Sequence, residues 1–136
     1  MSSHPKQIEL EGIMRLMCDE LDHRLEDRFG DSYPRHPNRP ERGKAASVAY
    51  DGLFSTGTQF TLGYGSNHGR GYIVSVEMRT LSKVRDEDKK AVEEAKVEII
   101  NELIPKYFPD RKIKMKKDGN VYKLVGDFSL GSSSNE

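Results

Sequence analysis

The residues that could do chemistry concentrate in a glycine-rich stretch in the middle of the chain, residues 63–72, which reads Gly-Tyr-Gly-Ser-Asn-His-Gly-Arg-Gly-Tyr. Glycine permits positive φ and close approach of the backbone, so successive N–H groups here could form a nest around an anion. The Arg70 guanidinium could add a two-pronged contact to phosphate or carboxylate. We therefore predict an anion-binding loop made of Arg70, Gly65, Ser66, Asn67 and Gly69. The alternative is a plain hairpin tip, because Gly, Asn and Ser dominate turns for steric reasons.

His68 lies within the same stretch and is the best placed of the histidines for acid/base chemistry. An imidazole titrates near neutral pH, with an unperturbed pKa of about 6.5, and a glycine-rich loop could expose it. Catalysis also needs an orienting carboxylate, for which Asp51 and Asp127 at predicted strand ends are the candidates. This gives an alternative function, a small enzyme with a pocket beside the glycine-rich loop. The leading prediction is a solvated histidine in a non-enzymatic protein.

Basic residues form two further clusters although the formal net charge is zero, with 22 Lys and Arg against 22 Asp and Glu. Lys112, Lys114 and Lys116 alternate along a predicted strand and so share one of its faces. Arg39 and Arg42 lie in a proline-rich basic loop, residues 31–43. Cationic side chains in such rows could track the phosphates of nucleic acid, and we assign both clusters to the anion site. The alternative for the lysines is protection of a sheet edge against pairing.

The first predicted helix carries Asp19, Asp22, His23 and Glu26 in the pattern D-x-x-D-H-x-x-E. Residues three or four apart share a helix face, so two of these side chains could reach one cation. A structural zinc site needs three or four converging ligands, and no second cluster in the sequence offers the remainder. We predict a solvated acidic face with no metal and no cofactor. Cys18 has no activating histidine signature beside it and is predicted to be a small, semi-buried apolar residue.

Length and composition fit one domain. The chain has 136 residues, of which 35% are apolar and 32% charged, and domains of this size are common. We predict a single domain over residues 1–130 and a loose tail at residues 131–136. No apolar run approaches the roughly 20 residues that span a bilayer, and the first residues lack the apolar stretch of a signal peptide. With a single cysteine, these features predict a cytoplasmic protein that does not enter membranes.

Hydrophobic periodicity predicts the order of helices and strands. Apolar residues recur at helical spacing over residues 6–29 and again from residue 85 to Pro105, whose missing N–H ends or kinks the helix. Strands are predicted at residues 45–50, 58–64, 72–80, 112–117 and 121–127, with alternation of the two faces clearest over residues 58–64 and 72–80. Phe60, Leu62, Tyr72 and Val74 fall on predicted core faces. The order α-β-β-β-α-β-β predicts an α+β fold with two helices packed on one face of a mainly antiparallel sheet.

The order α-β-β-β-α over residues 6–107 is similar to that of double-stranded RNA-binding domains. The run Lys89-Lys90-Ala91 near the start of the second helix resembles their basic KKxAK motif. Glu93 and Glu94 follow where those domains stay basic, and the final hairpin has no counterpart in them. The resemblance covers topology and almost no sequence, so we do not assign the chain to that family.

The leading hypothesis is a non-enzymatic cytoplasmic module that binds an anionic partner through the glycine-rich loop and the basic strand face. That partner is either nucleic acid or a phosphate-bearing ligand. A third hypothesis, beside the small enzyme, is a homo-oligomeric domain that pairs through an edge strand or through the first helix. The sequence leaves the ligand, the strand order and the oligomeric state open.

Overall fold

The computed structural model describes residues 5–62, 70–119 and 121–126. In chain order the elements are helix α1 (Pro5–Phe29), a 3-10 helix (Val48–Tyr50), strands β1 (Phe54–Thr61) and β2 (Gly71–Met78), helix α2 (Asp86–Tyr107), and strands β3 (Ile113–Asp118) and β4 (Val121–Gly126). The predicted α+β class is confirmed. Helix α2 runs through Pro105 and ends two residues later.

The strands form one antiparallel sheet in the order β1-β2-β4-β3. β1 pairs with β2 along its whole length, and β3 and β4 form a complete hairpin of their own. Between the two hairpins, the described residues pair at Tyr72 with Leu124 and at Ile73 with Lys123. Among the described strands the outer ones are therefore β1 and β3, and the described pairing joins the two hairpins at the start of β2 only.

The helices pack against each other and against one face of the sheet, α1 beside β1 and α2 beside β3. Apolar residues three or four apart on each helix form a single stripe, which the sheet buries. In β2 the alternation is as predicted, with Tyr72 and Val74 buried and the intervening residues turned to the other face. The core includes Leu10, Met14, Met17, Leu21, Leu25, Phe54, Tyr72, Val74, Val92, Ile99, Ile100, Leu103 and Leu124.

The strand predicted at residues 45–50 is wrong, because this segment contains the 3-10 helix. Ser47 caps that helix by accepting a hydrogen bond from the Ala49 N–H at 3.3 Å. Among the described residues, two strands rather than three therefore separate the helices. This removes the element order on which the likeness to double-stranded RNA-binding domains depended.

The core faces of β1 also differ from the prediction. The strand begins at Phe54 rather than at residue 58; Phe54 and Thr56 are buried, whereas the residues from Gly57 to Phe60 are exposed. Phe60 and Leu62, expected in the core, are 42% and 57% exposed. Phe60 packs edge-on against Tyr72, with ring centroids 5.3 Å apart.

The acidic side of α1 is not the solvated face that the sequence predicts. Asp22 is fully buried and accepts hydrogen bonds from the N–H and the hydroxyl of Thr56, at 3.2 and 2.6 Å. Glu26 accepts a hydrogen bond from the Leu53 N–H at 3.0 Å. The outer edge of β1 runs beside this flank of the helix, so these two carboxylates bind backbone groups. Asp19 stays part-exposed and pairs with Arg15.

Candidate anion-binding surface

The lysines predicted to share a strand face do so. In β3, Ile113 and Met115 are buried against the helices, whereas Lys114 and Lys116, together with Lys112 directly before the strand, are exposed. Successive side chains of a strand point to opposite faces, so the three lysines project from the face of the sheet that the helices leave open. They recur every second residue, about 7 Å apart, and form a row about 14 Å long.

The three lysines have no carboxylate partner among the described side chains, unlike many other cations of the protein. Elsewhere in the described part, cationic groups form ion pairs, as at Arg24 with Glu20 (3.0 Å) and Lys106 with Glu20 (2.7 Å). Cations already paired in this way gain little from an external anion, because a neighbouring carboxylate offsets their charge. As far as the described side chains are concerned, the lysine row keeps its charge available to an external anion.

Lys123 of β4 lies on the same face of the sheet, opposite Lys116 in the β3–β4 register. It is only 2% exposed, however, so it does not add to the exposed cationic surface. The surface therefore belongs to β3, with β4 separating it from β2.

Arg70 is exposed and directly precedes β2. Continuing the β2–β4 register by two residues places Arg70 level with Gly126, which pairs with Ile113 of β3. Two strand spacings, about 10 Å, therefore separate the backbone of Arg70 from the start of the lysine row, and continued alternation gives Arg70 the face of Tyr72 rather than that of the lysines. The glycine-rich loop itself, with the predicted ligands Gly65, Ser66, Asn67 and Gly69, lies outside the described residues, so its role stays a prediction.

Two glycines allow the strands to approach closely at this end. A Cβ on Gly126 would lie 2.0 Å from the Lys112 carbonyl oxygen, and its φ of +133° is one that side-chain-bearing residues rarely adopt. A Cβ on Gly71 would lie 2.2 Å from the Leu124 carbonyl oxygen. Side chains at either position would push β2, β4 and β3 apart, so these glycines keep the backbone at Arg70 about two strand spacings from the start of the lysine row.

Arg39, predicted to bind the anion, directs its guanidinium inward. It donates to the carbonyl oxygens of Ala49, Asp51 and Gly52 at 2.8, 2.7 and 3.1 Å. Desolvation by burial lowers the pKa of Arg39, with a further contribution from Arg79. These contacts organise the segment that contains the 3-10 helix, so Arg39 does not belong to the exposed lysine surface.

Arg42, predicted with it, is more enclosed, with a side chain only 9% exposed. It donates to Asp51 at 2.8 Å, to Glu26 at 3.2 Å, and to the carbonyl oxygens of Val48 and Phe54 at 2.6 Å each. Phe54 pairs with Met78, at the opposite end of β2 from Arg70. About 25 Å of strand therefore separates these arginines from that end.

Asp51, the first carboxylate considered for a catalytic pair, is 1% exposed and fully engaged. One oxygen accepts from Arg42, and the other accepts from the N–H groups of Gly43 and Ala45 at 2.9 and 3.1 Å. It lies at the start of β1, whereas His68 follows the end of that strand in the chain. His68 and the other candidate, Asp127, lie outside the described residues.

The structure also contains buried titratable groups that the sequence pattern did not place. Burial raises the pKa of the Asp22 carboxyl to about 6, opposed by its hydrogen bonds from Thr56. Burial raises the pKa of Cys18 to about 12, so its thiol stays protonated at neutral pH. Within residues 5–62, 70–119 and 121–126, His, Cys, Asp and Glu do not gather into groups of three or more that could hold a metal ion.

A groove of about 340 Å³ lies between β2 and α2 and was also missed. Beside it, the buried Lys96 donates to the Val74 carbonyl oxygen at 3.2 Å and pairs with Glu93 at 2.7 Å. The groove is mainly apolar and is lined by Val76, Met78, Val84, Lys89, Val92 and Glu93. Val76 and Met78, which line it on β2, are only partly buried, and they lie beyond Tyr72 and Ile73, the β2 residues described as paired with β4.

A family model described as an uncharacterised protein matches residues 5–126 of this chain, the range from the first residue of α1 to the last of β4. The chain belongs to this family. An uncharacterized protein of Borreliella burgdorferi is 46% identical over 120 residues, which cover 88% of this chain and 94% of that relative. No solved structure matches the chain. The family match spans every element that builds the lysine row, but its description gives no ligand.

Neither helix in the described part of the chain is long and apolar enough to cross a lipid bilayer. This agrees with the absence of a long apolar run in the sequence.

Proposed function

We propose that this protein is a non-enzymatic module that binds a polyanion, most directly the phosphate backbone of a nucleic acid, through Lys112, Lys114 and Lys116. The observation that supports this is the row of exposed lysines, which lies on the open face of the sheet without a described carboxylate partner. A row about 14 Å long matches an extended polyphosphate better than a single phosphate.

Arg70 and the glycine-rich loop would extend this surface at the end of the sheet where Gly71 and Gly126 bring the strands together. There the loop backbone would supply N–H donors to a phosphate, as a second contact beside the lysines. A phosphate-bearing small ligand would use this end alone. We place the protein in the cytoplasm, with the single buried cysteine as support for a reducing compartment.

The proposal is tested by fluorescence anisotropy with labelled single-stranded and duplex oligonucleotides over a series of salt concentrations. Affinity should fall linearly on a log–log plot of binding constant against salt, because each neutralised phosphate releases counterions. Lys114→Glu with Lys116→Glu should weaken binding and reduce the slope by about one for each phosphate that the variant no longer neutralises.

The matched control is Lys89→Glu with Lys90→Glu, which makes the same change in net charge at two exposed lysines of α2. If the two double variants bind equally, the effect is one of net charge, and the β3 surface is not the site. Wild-type protein that binds neither oligonucleotide at low salt would contradict the nucleic-acid proposal. Binding of inorganic polyphosphate alone would direct attention to a phosphate-bearing ligand.

A further inference from the structure

The first half of the outer edge of β1 is capped by side chains. Arg42 donates to the Phe54 carbonyl oxygen at 2.6 Å, and Arg15 donates to the Thr56 carbonyl oxygen at 2.9 Å. The Thr56 N–H donates to Asp22 at 3.2 Å. Phe54 and Thr56 thus direct their backbone groups away from β2, and in an antiparallel strand every second residue does the same.

By this alternation, Thr58 and Phe60 direct their backbone N–H and C=O groups to the same outer edge. No described side chain caps these groups, and the residues from Gly57 to Phe60 are all exposed. Natural proteins protect such an edge with lysine, proline or a bulge, because an open edge pairs with other strands. β3, the other outer strand, has its lysines, whereas the second half of β1 has no charged residue and no proline.

Apolar side chains surround this open edge. Phe60 and Leu62 are 42% and 57% exposed, and Ile8 of α1 is 59% exposed. Ile8 and Arg15 are seven residues apart, two helical turns, so they lie on the same side of α1. Since Arg15 reaches the outer edge of β1, Ile8 also lies on that side. Backbone donors and acceptors beside exposed apolar side chains form a surface that suits a β-strand.

We propose that β1 pairs with β1 of a second copy of this chain, antiparallel and across a two-fold axis at Gln59. Thr58 of each copy then lies opposite Phe60 of the other, and each such pair exchanges both of its backbone hydrogen bonds. The pairing joins the two four-stranded sheets into one continuous sheet. Arg15 and Asp22 end it at Thr56, where the backbone groups are already occupied.

A second copy is the occupant that this edge fits, because the edge is complementary to itself. The N–H and C=O groups of Thr58 and Phe60 match each other under a two-fold rotation. The side chains brought together are Thr, Gln and Phe, so the pairing opposes no like charges. A strongly charged strand would find no compensating charge on residues 57–62.

Sedimentation equilibrium of the full chain, from about 10 µM to about 1 mM, tests this pairing. The wild type should show a concentration-dependent dimer. Thr58→Pro removes an outward N–H, a change that an edge strand tolerates, and Phe60→Lys places a charge at the interface. Both variants should be monomeric over the whole range. The matched control is Val121→Lys, which changes an apolar residue of β4 that is 39% exposed and should leave the dimer intact.

Amide hydrogen exchange of the wild type provides a readout that needs no variant. Protection of the Thr58 and Phe60 amides should rise with protein concentration. Protection of the Gln59 amide, whose N–H is directed at β2, should not. A monomer throughout the range would overturn the proposal. A dimer that persists in both variants, with no concentration-dependent protection at Thr58 and Phe60, would show that another face pairs and would equally overturn it.

Discussion

Asp22 carries its carboxyl inside the protein, and this gives the stability of the fold an unusual dependence on pH. Burial raises its pKa from the ordinary value of 3.8 to about 6 in the folded state. Because each pKa unit corresponds to about 1.4 kcal/mol, the buried charge costs about 3 kcal/mol relative to the protonated carboxyl. Between pH 3.8 and 6 the folded chain holds a proton at Asp22 that the unfolded chain lacks. This group therefore stabilises the fold as the pH falls.

The change in the free energy of unfolding between pH 7 and pH 5 follows from the same two pKa values of Asp22. Between pH 7 and pH 5 the free energy of unfolding should rise by about 1 kcal/mol through Asp22, with the full effect reached only below pH 3.8. Glu20 acts in the opposite sense, because its hydrogen bonds from Lys106 and Tyr107 lower its pKa to about 2. The stability that ionised Glu20 gives the fold is lost only below its ordinary pKa of 4.5, outside this window.

Urea unfolding followed by circular dichroism at pH 5, 6, 7 and 8 measures this effect, with Asp22→Asn as the comparison. Asn keeps the size of the side chain and cannot titrate, so the difference between the two proteins isolates Asp22 from the histidines. The wild type should gain about 1 kcal/mol more than Asp22→Asn between pH 7 and pH 5. Equal pH profiles for the two proteins would refute the reasoning and place the Asp22 carboxyl in contact with water.

Two further predictions compare the stability changes expected when two glycines, and then two arginines, in contrasting surroundings are substituted. Gly126→Ala should lower the free energy of unfolding by about 1–3 kcal/mol through strain and close contact. Gly12→Ala, at an open position on α1, should raise the free energy of unfolding by up to about 1 kcal/mol. Arg42→Met should cost about 3–5 kcal/mol in urea unfolding, because it leaves Asp51 buried without its cation. Arg79→Met, at an exposed pair with Glu77, should cost less than about 1 kcal/mol. Reversal of either contrast would contradict the contacts described.

The parts of the fold that could be predicted from the sequence are those that local periodicity determines. The helical spacing of apolar residues located α1 and α2, and alternation located β2 and the lysine face of β3. In each case one face of the element meets the core and the other meets solvent, so the pattern and the burial agree. The same reasoning predicted the exposed lysines correctly as a row.

The incorrect predictions arose where distant residues decide the local structure. Residues 45–50 are mostly apolar, as a short strand can be, but Arg39, some ten residues earlier, donates hydrogen bonds to the carbonyl oxygens of Ala49, Asp51 and Gly52. The pattern of α1 cannot distinguish an acidic flank that faces water from one that faces the edge of a strand, and this hid the burial of Asp22. Clustered arginines indicated a binding surface, although Arg39 and Arg42 direct their donors to backbone carbonyls inside the protein.

The two outer strands of the sheet differ in a way that separates the two proposed interactions. In the paired sheet, seven strand spacings of about 4.8 Å each place the lysine rows of the two copies about 34 Å apart. Adjacent strands are rotated by about 20–25°, so over this distance the sheet twists by about 150°. The two lysine rows would then face nearly opposite directions, and one straight duplex could not contact both. Pairing through β1 should therefore give no gain from two-site binding. Thr58→Pro, which breaks the pairing without adding a charge, should leave the affinity of each chain for a short oligonucleotide unchanged, while Lys114→Glu lowers it.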